Sequence, residues 1–335
     1  MMGSRFIAGV QSEVETWEKK LSLLSDTLDE WIQVQRNWMY LENIFSAEDI
    51  QRQLPAEAAK FQSVDKKWRE IMLRTHNNSR VLSAVELGDE LLSAFVWCNK
   101  LLEEIQKSLE EYLETKRSAF PRFYFLSNDE LLQILSQTRE PRAVQPHLRK
   151  CFDNVSSLTF GTEEAAADML QMVSAEGEVV DFSAPVSAVG NVENWLGDVE
   201  GMMRRSLYEI TKQALEAYPP YEEAVNRDDW LFRWPAMCAL VVDQIMWTHG
   251  CTEAIRAESE GKKGSVQAFL DYSRNQLNSM VKLVRGELTK QQRTLMGALV
   301  VLDVHGRDVV SAMVDKGVAS MDDFEWTRQL RYYWD

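Results

Sequence analysis

The sequence predicts a mainly α-helical fold, an elongated multi-helix bundle with a small central α+β insertion that contains a β-hairpin. Two long stretches repeat apolar residues at alternating intervals of four and three, which is the spacing of one helix face. Between residues 121 and 190 this spacing gives way to short apolar runs separated by glycine and proline, which is typical of strands and turns. Helical spacing resumes after residue 190.

The first long helix begins near Val10. Its predicted apolar face consists of Val10, Val14, Trp17, Leu21, Leu24, Leu28 and Trp31. A helix of about thirty residues is about 45 Å long, at about 1.5 Å per residue. The heptad spacing permits a coiled coil, but about four heptads are close to the minimum for one. We therefore favour a long helix packed in an antiparallel bundle.

A short helix that stops before Pro55 and two longer helices complete the predicted N-terminal bundle. Pro55 suits the first turn of a helix that the run His76–Ser79 ends. The next helix repeats the heptad face of the first, and the chain then reaches Pro121. Its face consists of Leu91, Phe95, Cys98, Leu102, Ile105, Leu109 and Tyr112.

The central segment is predicted to mix strands with a short helix. Ser127 and Glu130 form a capping-box pattern at the start of that helix. The predicted strands are Phe123–Leu126, Leu158–Gly161 and a hairpin of Met169–Val173 with Glu178–Phe182.

Helices make up most of the remaining chain. They are predicted from Val192 to Pro219, from Pro235 to about Thr248, from Val266 to Leu288, and after Thr289. The sequence thus predicts four segments. They are an N-terminal long-helix bundle (1–120), a small α+β segment (121–190), a C-terminal helix bundle (191–320) and a junction segment (321–335).

The junction segment ends in an aromatic run. A short helix is predicted around Phe324 and Trp326, and Tyr332, Tyr333 and Trp334 favour a packed strand. Exposed together, such residues form the kind of apolar patch that marks an interface. The interface candidates are Phe324, Trp326, Leu330, Tyr332, Tyr333 and Trp334, and we expect their partner surface to lie outside this chain.

Composition excludes several classes of function. The formal net charge of −15 disfavours nucleic acid and any other acidic surface, including a microtubule lattice. Four scattered cysteines predict buried, reduced thiols of an intracellular protein. The chain opens on no signal peptide, and its most apolar stretches, Pro235–Trp247 and Leu295–Val304, are too short to span a bilayer. We expect no membrane partner.

No catalytic, cofactor or metal site is predicted. The run Gly261–Ser265 reads GKKGS, but it lacks the length and the preceding strand of a phosphate-binding loop. His147 with Cys151, and His249 with Cys251, have unlike spacings and lie far apart in the sequence, so core packing explains them better than zinc. The acidic doublets at 103–104 and 110–111 fit a solvated helix face.

Many short stretches resemble, in order, the linker domain of dynein heavy chains. They include Gln35–Glu42, Phe123–Leu132, Ser174–Glu178, Asn194–Leu196, Trp247–Thr248 and Gln329–Trp334. Val144–Leu148 and Lys150–Asn154 are more similar to axonemal than to cytoplasmic heavy chains. None of these stretches is a catalytic motif.

The resemblance implies a mechanical role. In that family the linker arches over a ring of AAA+ ATPase modules, and it swings as nucleotide changes in the first module. The expected partner is therefore the AAA+ ring of the same heavy chain. Microtubules would be reached only through a missing stalk, and intermediate and light chains only through a missing tail. The expected location is the cytoplasm and cytoskeleton, in the axoneme of a cilium or flagellum.

The same resemblance implies that ATP and magnesium belong to the parent motor, with no cofactor and no enzymatic activity in this segment. We expect the beginning of the linker to be missing and no ATPase module to follow within the chain. Pro141, Pro146 and Gly161 are hinge candidates, because proline and glycine connections join the short elements there. The alternative interpretation is a stand-alone helical scaffold whose aromatic end binds an unrelated partner.

Overall fold

The computed structural model describes residues 9–86, 89–136, 140–162, 166–221 and 227–335. Within these ranges the fold is mainly α-helical, with one small antiparallel sheet of three strands, which confirms the predicted fold class. The chain divides into two compact units. The first unit contains Met1–Cys151 and Val189–Asn194, and the second contains Phe152–Ala188 and Trp195–Asp335.

Long helices form the first unit. In chain order they are α1 (Gln11–Phe45), α2 (Glu48–Gln53), α3 (Pro55–Asn77), α4 (Val81–Glu86), α5 (Asp89–Ala119), α6 (Asn128–Leu135) and α7 (Leu148–Cys151). Pro55 occupies the first turn of α3, and the Ser127–Glu130 capping box is present at the start of α6, as predicted. Helix α4 was not predicted.

The two heptad faces have different surroundings. All the predicted face of α5 from Leu91 to Leu109 is buried, because α1 and α3 both pack against it. The face of α1 is covered only from its middle onwards, where Trp31 stacks on Phe95 at 5.6 Å between ring centroids. Earlier in α1, Trp17 and Leu21 are exposed to solvent. The same heptad pattern is therefore buried on α5 but partly exposed on α1.

The predicted strand at Phe123–Leu126 was wrong, since a 3₁₀ helix occupies Pro121–Phe125. Phe120, Phe123 and Leu126 are buried, whereas Tyr124 and Phe125 between the last two are exposed. A spacing of three places the buried residues on one face of a 3₁₀ helix, in which residues i and i+3 eclipse. The edge-to-face contact of Phe120 and Phe123, at 5.0 Å between centroids, stabilises this arrangement.

The second unit begins with the sheet. Strands β1 (Val155–Phe160), β2 (Asp168–Ser174) and β3 (Val179–Ser187) pair antiparallel in the order β1-β2-β3. The predicted hairpin is confirmed as β2 and β3, and Gly177 has a φ of 83° in the turn between them. Such a φ is the conformation that glycine adopts without steric cost.

Helices complete the second unit. They are α8 (Val192–Glu216, from Trp195 on in this unit), α9 (Asp228–Leu231), α10 (Ala236–Ser259), α11 (Ser265–Val284), α12 (Lys290–Asp315) and α13 (Phe324–Thr327). Helix α10 is central to the second unit, because it contributes Val242 to one core cluster and Ile255 to another. None of the helices in the described ranges is long and apolar enough to cross a bilayer.

The strand predicted at Tyr332–Trp334 was also wrong, because residues 330–335 adopt neither helix nor strand. The backbone N–H of Tyr332 donates to the Thr248 hydroxyl at 3.1 Å instead of joining a ladder. Aromatic residues favour strands chiefly because they pack well on a pleated, half-buried surface. Here the Trp334 ring packs on the Tyr208 ring of α8 without forming a strand.

Candidate functional site

Trp326 fixes the C-terminal aromatic segment, residues 324–334, to the second unit. The side chain of Trp326 is 0% exposed and lies in a core cluster with Val310 and Met313 of α12. Its ring lies 6.1 Å from that of Trp247 on α10. Of the six predicted interface residues, Trp326 is thus an internal anchor, and its indole is not available to a partner.

Two acidic side chains, Asp323 and Glu325, stabilise α13, the short helix that contains Trp326. Asp323 caps α13 by accepting a hydrogen bond from the Glu325 N–H at 2.9 Å. The Glu325 side chain is buried and pairs with Lys316 and with Arg328, the latter at 3.1 Å. Because Lys316 follows α12 directly, this network joins the end of α12 to the start of the aromatic segment.

The last aromatic residues are also held in place. The ring of Trp334 stacks on Tyr208 of α8 with 4.9 Å between centroids. The Tyr332 backbone is bonded to Thr248 of α10, as described above. Both ends of the aromatic segment are therefore attached to the second unit, and the residues between them follow a defined path.

The remaining predicted interface residues face solvent. Phe324 is 68% exposed, Leu330 74% and Tyr333 62%, and the Tyr332 side chain is partly exposed. The contacts of Trp326, Trp334 and the Tyr332 backbone restrict the path of the segment, so a partner that covers its exposed side chains has less of the chain to order. The arrangement can therefore offer apolar contacts to another protein surface.

The hinge candidates lie in two different local structures. Pro141 and Pro146 belong to a 3₁₀ helix, Pro141–His147, of the first unit, in which Val144 and His147 are buried. Gly161 follows β1 in the second unit, where its N–H donates to the Asp168 carbonyl at 2.8 Å. The hinge remains a prediction for all three residues.

Sequence reasoning missed a buried group of charges that we call the Arg227 cluster, consisting of Arg227, Asp243 and Asp303. The Arg227 guanidinium donates to both carboxylates, one on α10 and one on α12. The sequence did contain a signal, because Asp243 and Asp303 each interrupt an otherwise apolar stretch. A charge at such a position is rarely buried without a partner.

The four cysteines are free and buried, and burial raises the pKa of the Cys98 and Cys151 thiols to about 11. Among the described residues, no group of three or more His, Cys, Asp or Glu is arranged to hold a metal ion. In the GKKGS turn, the Glu258 carboxylate accepts from the N–H groups of Gly264 and Val266, at 3.0 and 3.2 Å. A phosphate would have to displace this carboxylate.

These features define a class of protein first: a mainly helical chain with a small antiparallel sheet and a firmly anchored surface segment of exposed apolar side chains. Comparison with known proteins then identifies the family. Residues 1–214 match the family described as "Dynein heavy chain, N-terminal region 2". Since this match covers more than half of the 335 residues, the chain belongs to that family.

Similar proteins include several axonemal heavy chains. The chain is 46% identical to dynein axonemal heavy chain 1 of Mus musculus over 324 residues, which is 97% of this chain and 7% of the relative. It is 46% identical to human dynein axonemal heavy chain 12 over 338 residues, covering all of this chain and 10% of the relative. Human dynein axonemal heavy chain 6 is 44% identical over 352 residues, with 8% of its length covered. The chain thus spans about a tenth or less of these relatives.

Proposed function

We propose that this chain is the mechanical linker of an axonemal dynein heavy chain. Its role would be that of a lever that couples ATP-driven changes in an AAA+ ring to minus-end-directed movement along microtubules. The observation that carries the proposal is the collinear identity of 46% with an axonemal heavy chain over 97% of this chain. The match to human dynein axonemal heavy chain 12 covers all of this chain, which supports the same role for the whole stretch.

The structure adds physical support for a lever. A lever transmits force only if its elements resist bending, and a long helix such as α5 (31 residues), buried along one face by two neighbouring helices, is such an element. The aromatic segment is attached at Trp326 and Trp334, so a load applied to its exposed residues would reach the core of the second unit.

The lever needs partners that lie outside this chain. We propose that the exposed residues of the aromatic segment contact the AAA+ ring of the same heavy chain, which binds the ATP and magnesium. The heavy chain would then act in the axoneme of a cilium or flagellum. The 3₁₀ helix with Pro141 and Pro146 is our proposed site of bending, with Gly161 as a second candidate.

Replacing Phe324 and Leu330 by serine in the full-length heavy chain tests this proposal. Both side chains are mostly exposed, so the variant should fold normally. A lever that has lost its apolar contact to the ring should hydrolyse ATP without moving microtubules, so we expect gliding to be lost while basal ATPase activity persists. The two measurements are microtubule gliding velocity and phosphate release.

Val301→Ser is the matched control, because Val301 on α12 is as exposed as Phe324, at 68%, and lies outside the aromatic segment. This control should glide like the unmodified motor. If gliding and ATPase activity both stay unchanged in the double variant, the lever proposal fails, and the alternative of a helical scaffold takes its place.

A further inference from the structure

The Arg227 cluster connects several helices of the second unit through one side chain. Arg227 is the residue before α9, and its carbonyl accepts from the N–H groups of Trp230 and Leu231, each at 3.0 Å. Its guanidinium bonds Asp243 of α10 and Asp303 of α12, and it lies 3.0 Å from the Met280 sulfur of α11. A change in this cluster would therefore be felt by four helices.

The charges in the cluster do not balance. Arg227 supplies one positive charge, whereas Asp243 and Asp303 supply two negative charges when both are ionised. Arg227 and Asp243 are almost completely buried, and Asp303 is nearly so. An uncompensated charge in such a place is strongly unfavourable, because the interior solvates it poorly.

Other polar groups around the cluster do not supply the missing positive charge. Within the described residues, the titratable and charged groups bordering the same cavity are Tyr218, Tyr221, Tyr272 and Arg307. Tyr218 donates a hydrogen bond to Asp243 at 3.4 Å but carries no charge, since burial raises the pKa of the phenol well above its usual range. The Arg307 guanidinium already pairs with Asp308, its Nε donating at 2.9 Å.

The cavity beside the cluster limits what could neutralise the excess charge. Its volume is about 30 Å³, and aromatic rings including Trp247 and Phe269 line it. About 10–15 Å³ of such volume is needed for one water molecule, so the space suits a water or two and excludes an organic cation. A proton requires no additional space.

The electrostatics agree with this geometry. Burial and the neighbouring Asp243 carboxylate raise the pKa of Asp303 to about 7, in spite of the opposing effect of Arg227. A second carboxylate beside the same guanidinium disfavours the ionised form of Asp303, so Asp303 retains its proton into the neutral range.

We propose that Asp303 holds a proton beside Arg227 and Asp243, and that release of this proton to solvent loosens the contact of α9 and α10 with α12. With the proton bound, the cluster is neutral and stabilises the packing of these helices. Without it, the second unit carries one unpaired buried negative charge. This device is independent of the proposed lever function.

The sign of the pH effect follows from the raised pKa. Stability from a carboxyl group of this kind is complete below its ordinary pKa of about 4 and is lost as the pH rises to about 7. Over that interval, the equilibrium constant for opening the helices should rise about tenfold for each pH unit. Above the interval it should level off.

Amide hydrogen exchange of the whole chain at pH 6 and pH 8 tests the proposal, with Asp303→Asn as the variant. Asparagine has the neutral form of the protonated acid at every pH. In the variant, the titration of residue 303 therefore cannot lower the amide protection of α10 and α12. Relative to the variant at the same pH, the unmodified chain should therefore lose about tenfold in protection between pH 6 and pH 8. Asp315→Asn, an exposed position on the same helix, should behave like the unmodified chain.

Three results would overturn the proposal. The first is a ratio of protection between the two proteins that does not change with pH. The second is an equal change in α5 of the first unit. The third is recovery of protection at pH 8 on addition of magnesium, which would identify a metal site instead.

A measurement on the unmodified chain keeps the proposal testable if Asp303→Asn does not fold. Infrared difference spectra between pH 6 and pH 8 should show the loss of a protonated carboxyl band, because carboxyl groups with ordinary pKa values are already ionised at pH 6. Absence of this band would contradict the proposal.

Discussion

Gly306 allows α12 to approach a tryptophan ring closely. A Cβ atom added at this glycine would lie 2.7 Å from Nε1 of Trp247. Trp247 in turn packs beside Trp326, the anchor of the aromatic segment. The glycine therefore sets the distance between α12 and α10 at the position where the C-terminal residues attach.

Gly306→Ala should lower the free energy of unfolding by about 1–3 kcal/mol, the usual cost of overpacking a core. The Trp247 ring cannot move freely, because it also packs beside the fully buried Trp326. Urea denaturation followed by tryptophan fluorescence would measure the change.

Gly297→Ala on the same helix is the matched control: its Cβ meets nothing within 4 Å. In an exposed helix interior alanine is more favourable than glycine by about 0.5–1 kcal/mol, so the free energy of unfolding of this control should rise. Equal effects of the two substitutions would contradict the packing argument.

At the same scale, the sequence indicated the capping residues but not the charge partners. The Ser127–Glu130 box could be recognised because both members lie within four consecutive residues. Arg227, by contrast, lies 16 residues from Asp243 and 76 from Asp303, so only the packing of three helices brings them together. A charged residue within an apolar stretch predicts that a group of opposite charge lies beside it, but the sequence does not indicate which residue that is.

At the scale of elements, helix periodicity predicted where the helices form better than which faces become buried. Helices α1 and α5 carry the same alternating spacing, yet Leu102 of α5 is fully buried and Leu21 of α1 is 59% exposed. The reason is tertiary: α5 packs against both α1 and α3, whereas Trp17 and Leu21 in the first turns of α1 are exposed among the described residues. Periodicity describes one helix and contains no information about how far its partner extends.

Alanine substitutions at these two leucines measure that difference. Leu102→Ala should lower the free energy of unfolding by about 2–5 kcal/mol, because it leaves a cavity in the packed seam. Leu21→Ala should change it by no more than about 0.5 kcal/mol, as exposed positions usually do. Thermal or urea unfolding of the purified chain provides both values. A large loss at Leu21 would show that a partner, such as a second copy, covers the start of α1 in solution.

Short apolar runs were the least predictable elements. Residues 123–126 and 332–334 both suggested strands, and neither forms one. In the first run a spacing of three between buried residues fits a 3₁₀ helix, and in the second the Trp334 ring packs on Tyr208 of α8. The hairpin of β2 and β3 was predictable because the glycine in its turn carries local information.

At the scale of the whole molecule, the net charge predicts which surfaces the chain avoids. The chain carries 52 acidic and 37 basic side chains, a formal charge of −15 at pH 7. Like-charged surfaces repel over the Debye length, which is about 30 Å at 0.01 M salt. Under such conditions the chain should be repelled by any acidic polymer, and the proposed lever function requires no contact between this chain and a microtubule.

We therefore expect that the isolated chain does not sediment with microtubules, even at low ionic strength, where electrostatic attraction would be strongest. The measurement is cosedimentation over a range of salt concentrations, with a basic microtubule-binding protein of similar size as the positive control. Pelleting that weakens as salt rises would reveal a local basic surface strong enough to overcome the net charge. Such a result would give this segment a direct role at the microtubule, and it would contradict a division of labour in which the lever only transmits movement generated elsewhere in the heavy chain.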